Sequence, residues 1–209
     1  MKSFCVVVAV AAVSLMSNLA KAQTDLVNTG TPTGGAFVES DSSQSFAAEF
    51  SIQSGQTITS IAPYLTLGGS NAQPGESFTL DIYATLPGRN GAGGVLDYTV
   101  TGQWEADGFT PVTTNWTASN TGDYWVAVVN SNSATNFLDL EDLASASTGD
   151  PAALGFEWAG SSGSYSASGA PSFGLEIVAT PEPASWALSL VCVGALGVLY
   201  LWRRPAIRA

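Results

Sequence analysis

Carboxylates are the side chains of this sequence that could do chemistry. The 209 residues include no His, and the two cysteines, Cys5 and Cys192, lie in apolar segments near the two ends. Residues 23–180 also contain no Lys. Histidine bases, thiol nucleophiles, Cys or His zinc sites and lysine Schiff bases are therefore excluded from that region. Acid–base chemistry by Asp and Glu is what remains.

One use of such carboxylates is glycoside hydrolysis, which needs two carboxyl groups at a defined separation beside aromatic side chains. Candidate acids are Glu105, Asp107 and Glu157. The aromatic side chains that could stack on a sugar are Trp104, Trp116, Tyr124, Trp125, Trp158 and Tyr165. The same aromatic residues could serve a carbohydrate-binding module without catalysis, or could simply fill a core. The sequence leaves these alternatives open.

A second use is metal binding. Four carboxylates fall within 12 residues at Asp139, Glu141, Asp142 and Asp150. Hard oxygen ligands of this kind suit Ca²⁺, although the spacing does not match an EF-hand loop. Ca²⁺ is thus a candidate ligand beside the alternative of a solvated acidic turn, and we expect no other cofactor.

The charge balance excludes whole classes of partner. Residues 23–180 contain 16 Asp and Glu against one basic residue, Arg89. Nucleic acids and anionic lipid surfaces are bound through Lys and Arg, so neither is an expected partner of this region.

The elements that must position these residues are predicted to be β-strands. In residues 77–85, Phe78, Leu80 and Ile82 alternate with polar side chains, as a half-buried strand requires. Phe173, Leu175 and Ile177 repeat the pattern. Further strands are predicted at 45–52, 57–67, 95–101, 123–130 and 154–158, with Gly and Pro turns between them. The expected fold is all-β: an antiparallel two-sheet sandwich, jelly-roll-like, over residues 23–180.

Residues 1–22 predict a signal peptide. Lys2 gives a positive start, residues 4–16 are apolar, and Ala20-Lys21-Ala22 fits the small-x-small pattern that signal peptidase cleaves. The mature chain should begin at Gln23, and the region after it should be exported.

Residues 184–202 predict a transmembrane helix. These 19 residues carry no charge, and as a helix they would extend about 28 Å, close to the hydrocarbon thickness of a bilayer. Arg203, Arg204 and Arg208 follow on the side expected to stay cytoplasmic. A helix at each end would therefore flank the sandwich.

Residues 181–209 resemble a PEP-CTERM sorting signal. The resemblance rests on Pro181-Glu182-Pro183, the apolar run and the terminal arginines Arg203 and Arg204, in that order. It implies that an exosortase-like enzyme reads the Pro-Glu-Pro triplet and that the helix is then discarded. On that reading the protein is anchored in the inner membrane before processing and afterwards lies at the cell surface or outside the cell.

The central region resembles the choice-of-anchor β-sandwich domains that often precede such tails. The resemblance rests on residues 46–50, 58–61, 78–83 and 121–128. It implies a fold and a surface location, and it implies no ligand and no catalytic residue. We therefore expect a non-catalytic surface or extracellular-matrix protein, linked to exopolysaccharide or biofilm. The alternatives are a carbohydrate-binding module and a carboxylate-based glycoside hydrolase.

Overall fold

The computed structural model describes residues 23–33, 37–40, 45–66, 73–86, 94–130, 138–141, 153–159, 165–166 and 172–180. Those residues form thirteen strands and no helix, and residues 23–179 make one compact unit. The strands are β1 (Thr24–Asn28), β2 (Phe37–Ser40), β3 (Ser45–Ile52), β4 (Thr57–Thr66), β5 (Glu76–Tyr83), β6 (Leu96–Trp104), β7 (Gly108–Phe109), β8 (Val112–Thr117), β9 (Gly122–Val129), β10 (Leu138–Glu141), β11 (Gly155–Ala159), β12 (Tyr165–Ser166) and β13 (Leu175–Ala179). The predicted helices at 1–22 and 184–202 lie outside the described residues.

The strands form two sheets. One has six strands in the order β12-β11-β3-β9-β5-β6. The other has seven, in the order β1-β13-β4-β10-β2, with β7 and β8 also paired to β4. All the pairings are antiparallel. The prediction of an all-β fold with two antiparallel sheets is confirmed.

The core between the sheets follows from the period-2 alternation in the sequence. Phe78, Leu80 and Ile82 of β5 are fully buried, as are Leu175 and Ile177 of β13. Phe173, just before β13, is also fully buried, and its ring meets those of Phe46 in β3 and Phe156 in β11 edge-on. The ring centroids are 6.5 Å and 5.2 Å apart. This aromatic contact joins the two sheets.

Gly102 in β6 lets the two sheets approach closely. A Cβ atom at this position would lie 2.5 Å from the ring of Phe78 and 2.6 Å from a methyl group of Val112. A side chain at this position would have to displace the Phe78 ring or the Val112 side chain, so packing favours glycine here.

The sequence did not predict β8, and the structure shows why. Its residues alternate between buried and exposed, but the buried positions include Thr114 as well as Val112 and Trp116. The Thr114 hydroxyl donates a 2.6 Å hydrogen bond to the carbonyl of Ile58. A polar residue that is hydrogen-bonded to the neighbouring strand is buried at little cost, yet it hides the hydrophobic alternation in the sequence.

Two short strands lie outside the segments that the sequence predicted. Thr24–Asn28 form β1 against β13. Tyr165–Ser166 form β12 against β11.

Truncating a core residue tests whether alternate side chains of β5 face the core and the outer side of the sheet. We expect Ile82→Ala to lower the free energy of unfolding of the full-length protein by about 2–5 kcal/mol, because the change removes buried methyl groups and leaves a cavity. Thr79→Ala, three positions earlier in β5 and facing the opposite side, is expected to lower it by less than about 1 kcal/mol. Urea unfolding curves of both variants measure the difference, and equal losses would contradict the assigned faces.

Candidate functional site

The candidate site is the outer face of the six-stranded sheet, the face that points away from the seven-stranded sheet. In β3, Phe46, Ala48 and Phe50 pack into the core between the sheets. Because side chains alternate along a strand, Ala47 and Glu49 lie on the outer face. The pairing register extends this face across the neighbouring strands.

One row of the outer face runs across four strands. It begins at Glu157 in β11, passes through Ala47 and Ala127, and ends at Asp81 in β5. With strands about 4.8 Å apart, the two acidic residues are separated by about 14 Å along the sheet. The small side chains of Ala47 and Ala127 thus form a shallow strip on the outer face, with a carboxylate at each end.

Three aromatic side chains pack over the two alanines. Tyr83, Trp125 and Tyr165 form a second buried cluster with Ala47 and Ala127, distinct from the inter-sheet core; we call these five residues the outer cluster. Tyr83 and Trp125 are direct cross-strand neighbours. Their exposed fractions are 3% and 8%, and that of Tyr165 is 9%. The six-stranded sheet therefore has an apolar patch on its outer face in addition to its core face.

The hydroxyl groups of the outer cluster are hydrogen-bonded. Tyr83 donates to the Asp81 carboxylate at 3.2 Å, and Thr99 donates to the other oxygen of that carboxylate. The hydroxyl oxygens of Tyr165 and Ser45 lie 2.7 Å apart in a buried hydrogen bond. Asp81 is thus held by two neutral donors, and the chain around Tyr165 is fixed to β3.

Burial shifts the pKa of both phenols upward. It raises the pKa of Tyr165 to about 12, with a smaller contribution from the Asp81 charge and an opposing one from the Ser45 hydrogen bond. Burial, followed by the nearby Asp81 carboxylate, raises the pKa of Tyr83. Both phenols are therefore neutral at physiological pH.

Three carboxylates gather at the β11 side of the outer face. Partial burial, then the charges of Asp123 and Glu157, raise the pKa of Glu49. Burial also raises the pKa of Glu157. Asp123 accepts a hydrogen bond from the Ser51 hydroxyl. Among the described residues, no group of three or more His, Cys, Asp or Glu is arranged to hold a metal ion.

The structure places two of the four calcium candidates in a strand. Asp139 and Glu141 belong to β10, where they pair with Glu39 and Phe37 of β2. Asp142 and Asp150 lie outside the described residues, so the Ca²⁺ hypothesis stays a prediction.

The predicted aromatic platform is not exposed where the structure describes it. Trp104 and Trp116 are buried in the inter-sheet core, and Trp125 is buried in the outer cluster. Trp116 meets the buried ring of Tyr124 edge-on at 5.0 Å and donates from Nε1 to Asp97 at 3.2 Å. These tryptophans pack the protein, because a ring that is more than nine-tenths covered has no free face for a sugar.

The acids proposed for hydrolysis are not brought together. Glu105 and Asp107 are exposed just after β6, at one edge of the six-stranded sheet. Glu157 is in β11, four strands away. With a spacing of about 4.8 Å per strand, this separation of about 19 Å exceeds what paired catalytic carboxyl groups require.

The processing residues predicted from the sequence lie outside the described part of the chain. They are Ala20, Ala22, Pro181, Glu182, Pro183, Arg203 and Arg204. In the part that is described, no helix has the length and hydropathy to span a membrane.

Comparison of the chain with protein-family models found no match, and comparison with curated protein sequences found none either.

Sequence reasoning did not single out Ser45, Asp81, Tyr83 or Thr99. The alternation in β5 already set Asp81 and Tyr83 on the polar side of the strand. The sequence does not reveal the pairing register of β5 with β9 and β6. That register brings Tyr83 beside Trp125 and Asp81 beside Thr99.

Removing one hydroxyl tests the attachment of Tyr165. We expect Tyr165→Phe to lower the free energy of unfolding by about 1–3 kcal/mol, because the buried Ser45 hydroxyl loses its partner. Tyr98→Phe is the control, since Tyr98 donates only to exposed Asn115 at 3.4 Å, and we expect less than about 0.5 kcal/mol there. Similar losses in both variants, measured by urea unfolding, would contradict a specific role for the Tyr165–Ser45 bond.

Neutralising Glu49 tests the clustered carboxylates. Its pKa is higher in the folded than in the unfolded chain, so the folded state binds the proton more tightly, and stability rises as pH falls through the raised pKa. We therefore expect Glu49→Gln to raise the melting temperature at pH 7, with a difference that shrinks below pH about 4. Glu105→Gln, in an exposed turn, is the control. A lower melting temperature for Glu49→Gln at pH 7 would contradict a destabilising effect of the Glu49 charge in the folded state.

Proposed function

We propose that this chain is a non-catalytic exported protein of the cell surface or extracellular matrix, sorted by an exosortase-like system and associated with exopolysaccharide or biofilm. The observation that carries the proposal is the sequence of the C-terminal tail. Three features follow one another there: Pro181-Glu182-Pro183, an uncharged run over 184–202, and Arg203-Arg204. Signal peptidase and the sorting enzyme are its processing partners, and residues 184–202 anchor it in the inner membrane before processing.

The fold supports an extracellular role. All thirteen described strands lie between Thr24 and Ala179, that is, between the two targeting segments. Residues 23–180 have no Cys, so their stability in an oxidising compartment depends on packing alone. The strand order is also not sequential, and the chain passes repeatedly from one sheet to the other, as in a jelly roll. We assign the sandwich to a jelly-roll-like arrangement on that basis.

Carbohydrate binding by a dedicated module is the second candidate. The outer face favours it to the extent that exposed Thr99, Thr101 and Asp123 surround the outer cluster with hydroxyl and carboxylate groups. A sugar would bind through hydrogen bonds from its hydroxyls to these groups, because the buried rings offer no stacking surface. The buried tryptophans therefore support a matrix protein over a stacking module.

A glycoside hydrolase is the third candidate and is supported least. The neighbouring carboxylates Glu49 and Glu157 both have raised pKa values, whereas a catalytic pair needs one raised acid beside one carboxylate that stays ionised.

Intact mass spectrometry of the protein from its native host tests processing at both ends. We expect the major species to begin at Gln23 and to lack most residues after Pro183. A major species that retains Arg203 and Arg204 would refute the sorting part of the proposal.

Neutralising the terminal arginines tests their part in the tail. Replacing Arg203, Arg204 and Arg208 with Gln should impair retention and orientation of the tail, because positive charge beside the helix disfavours its translocation. Replacing Arg89, which lies outside the tail, is the control. Protease protection of intact cells measures the orientation, and normal processing of the triple variant would contradict a role for the basic cluster.

A further inference from the structure

Strand β6 is an open edge of the six-stranded sheet. It pairs with β5 on one side, and within the described residues no strand pairs with its other side. The pairing is regular from Tyr98 to Trp104 and shifts by one residue at Asp97. The regular edge, residues 98–104, is therefore seven residues long.

The peptide groups along this edge point outward at alternate residues. The carbonyl of Trp104 accepts a 2.7 Å hydrogen bond from the amide of Gly75, on the β5 side. Because alternate residues of an antiparallel strand direct their peptide groups to opposite sides, those of Thr99, Thr101 and Gln103 face the open edge.

Open space lies beside this edge. A shallow depression of about 440 Å³ opens along the second half of β6, between Ser77 of β5, Thr101, Gly102 and Gln103 of β6, and residues 111–113 around the start of β8. Among the described residues, it leaves room for an incoming strand beside the outward peptide groups of Thr101 and Gln103.

The edge lacks the features that usually prevent strands from pairing. Residues 98–104 contain no charged residue and no Pro, in a region with 16 acidic residues. The nearest charges, Asp97 and Glu105, flank the segment. Asp97 accepts a hydrogen bond from Trp116 of its own chain, so its carboxylate is turned toward β8.

We propose that a second copy of this chain pairs with the open edge of β6, antiparallel and in register, with Thr101 on the two-fold axis. Thr101 then faces Thr101 of the second copy, and Thr99 faces Gln103. This register keeps the outward peptide groups opposite one another, aligns the outer faces and joins the two six-stranded sheets into one.

Charge and symmetry favour a second copy over another partner. Self-pairing sets uncharged polar side chains against each other, and Thr79 and Thr101, already cross-strand neighbours, continue as a row of threonines into the second copy. A cationic partner would meet no acidic side chain along residues 98–104. The symmetric contact also closes on itself, which gives a dimer at this edge.

The flanking charges give the dimer a salt dependence. At each end of the pair, Asp97 of one copy lies opposite Glu105 of the other in the strand register, although the Asp97 carboxylate is turned toward β8. Like charges repel less as salt screens them, so raising the salt concentration should strengthen the dimer.

Disulfide trapping tests the register. In the full-length chain with Cys5→Ser and Cys192→Ser, Thr101→Cys should form a disulfide-linked dimer under a mild copper oxidant, because the two Cβ atoms lie opposite each other. Thr117→Cys, an exposed position of β8, should not. A cross-link at Thr117→Cys with none at Thr101→Cys would overturn the proposal in favour of another interface.

Sedimentation equilibrium of the full-length protein in detergent measures the association itself. The wild type should be a dimer that tightens with salt. Thr101→Asp should weaken dimerisation about tenfold or more, because it sets two carboxylates opposite each other, while Thr117→Asp should leave it unchanged. A wild type that stays monomeric at all concentrations, or equal weakening by both variants, would overturn the proposal.

Discussion

The contact between the two sheets is what the rest of this structure depends on. Residues 23–180 have no cysteine and a single basic residue, so neither disulfides nor an ion-pair network can hold the sheets together. Apolar packing must do so. Phe173 shows how: it lies beside the seven-stranded sheet, and its ring contacts Phe46 and Phe156 of the other sheet. Close approach at Gly102 extends the same packing to the opposite end of the six-stranded sheet.

Once apolar packing holds the sheets, the excess of acidic residues has to be accommodated outside the core. Glu49, Asp123 and Glu157 lie on the outer face, where partial burial and the neighbouring carboxylates raise the pKa of Glu49. Hydroxyl groups donate to two of the outer carboxylates: Tyr83 and Thr99 to Asp81, and Ser51 to Asp123. Neutral donors thus stabilise these carboxylates in a region that has a single basic residue.

Much of the fold could be predicted from the sequence, because a strand that faces the inter-sheet core on one side must alternate apolar and polar residues. Ser45–Ile52 was predicted with its observed bounds, and the faces of Phe78, Leu80 and Ile82 are as expected. Strand β8 was missed because Thr114 is buried with a hydrogen bond to the neighbouring strand β4. The outer cluster was missed for another reason. Tyr83, Trp125 and Tyr165 are distant in sequence, and only the register of five strands brings them together.

The six-stranded sheet is packed on both faces. The core covers one face, and the outer cluster covers part of the other, on β3, β5, β9 and β12. Strand β6 is paired with β5 along its regular segment, so its open edge is already extended, and binding another strand there loses less conformational entropy than ordering a loop would. Strong negative charge elsewhere on the surface opposes association at other orientations. Residues 98–104 carry no charge, so electrostatic repulsion between copies is weak along this edge, which suits a protein that we propose to work in an extracellular matrix.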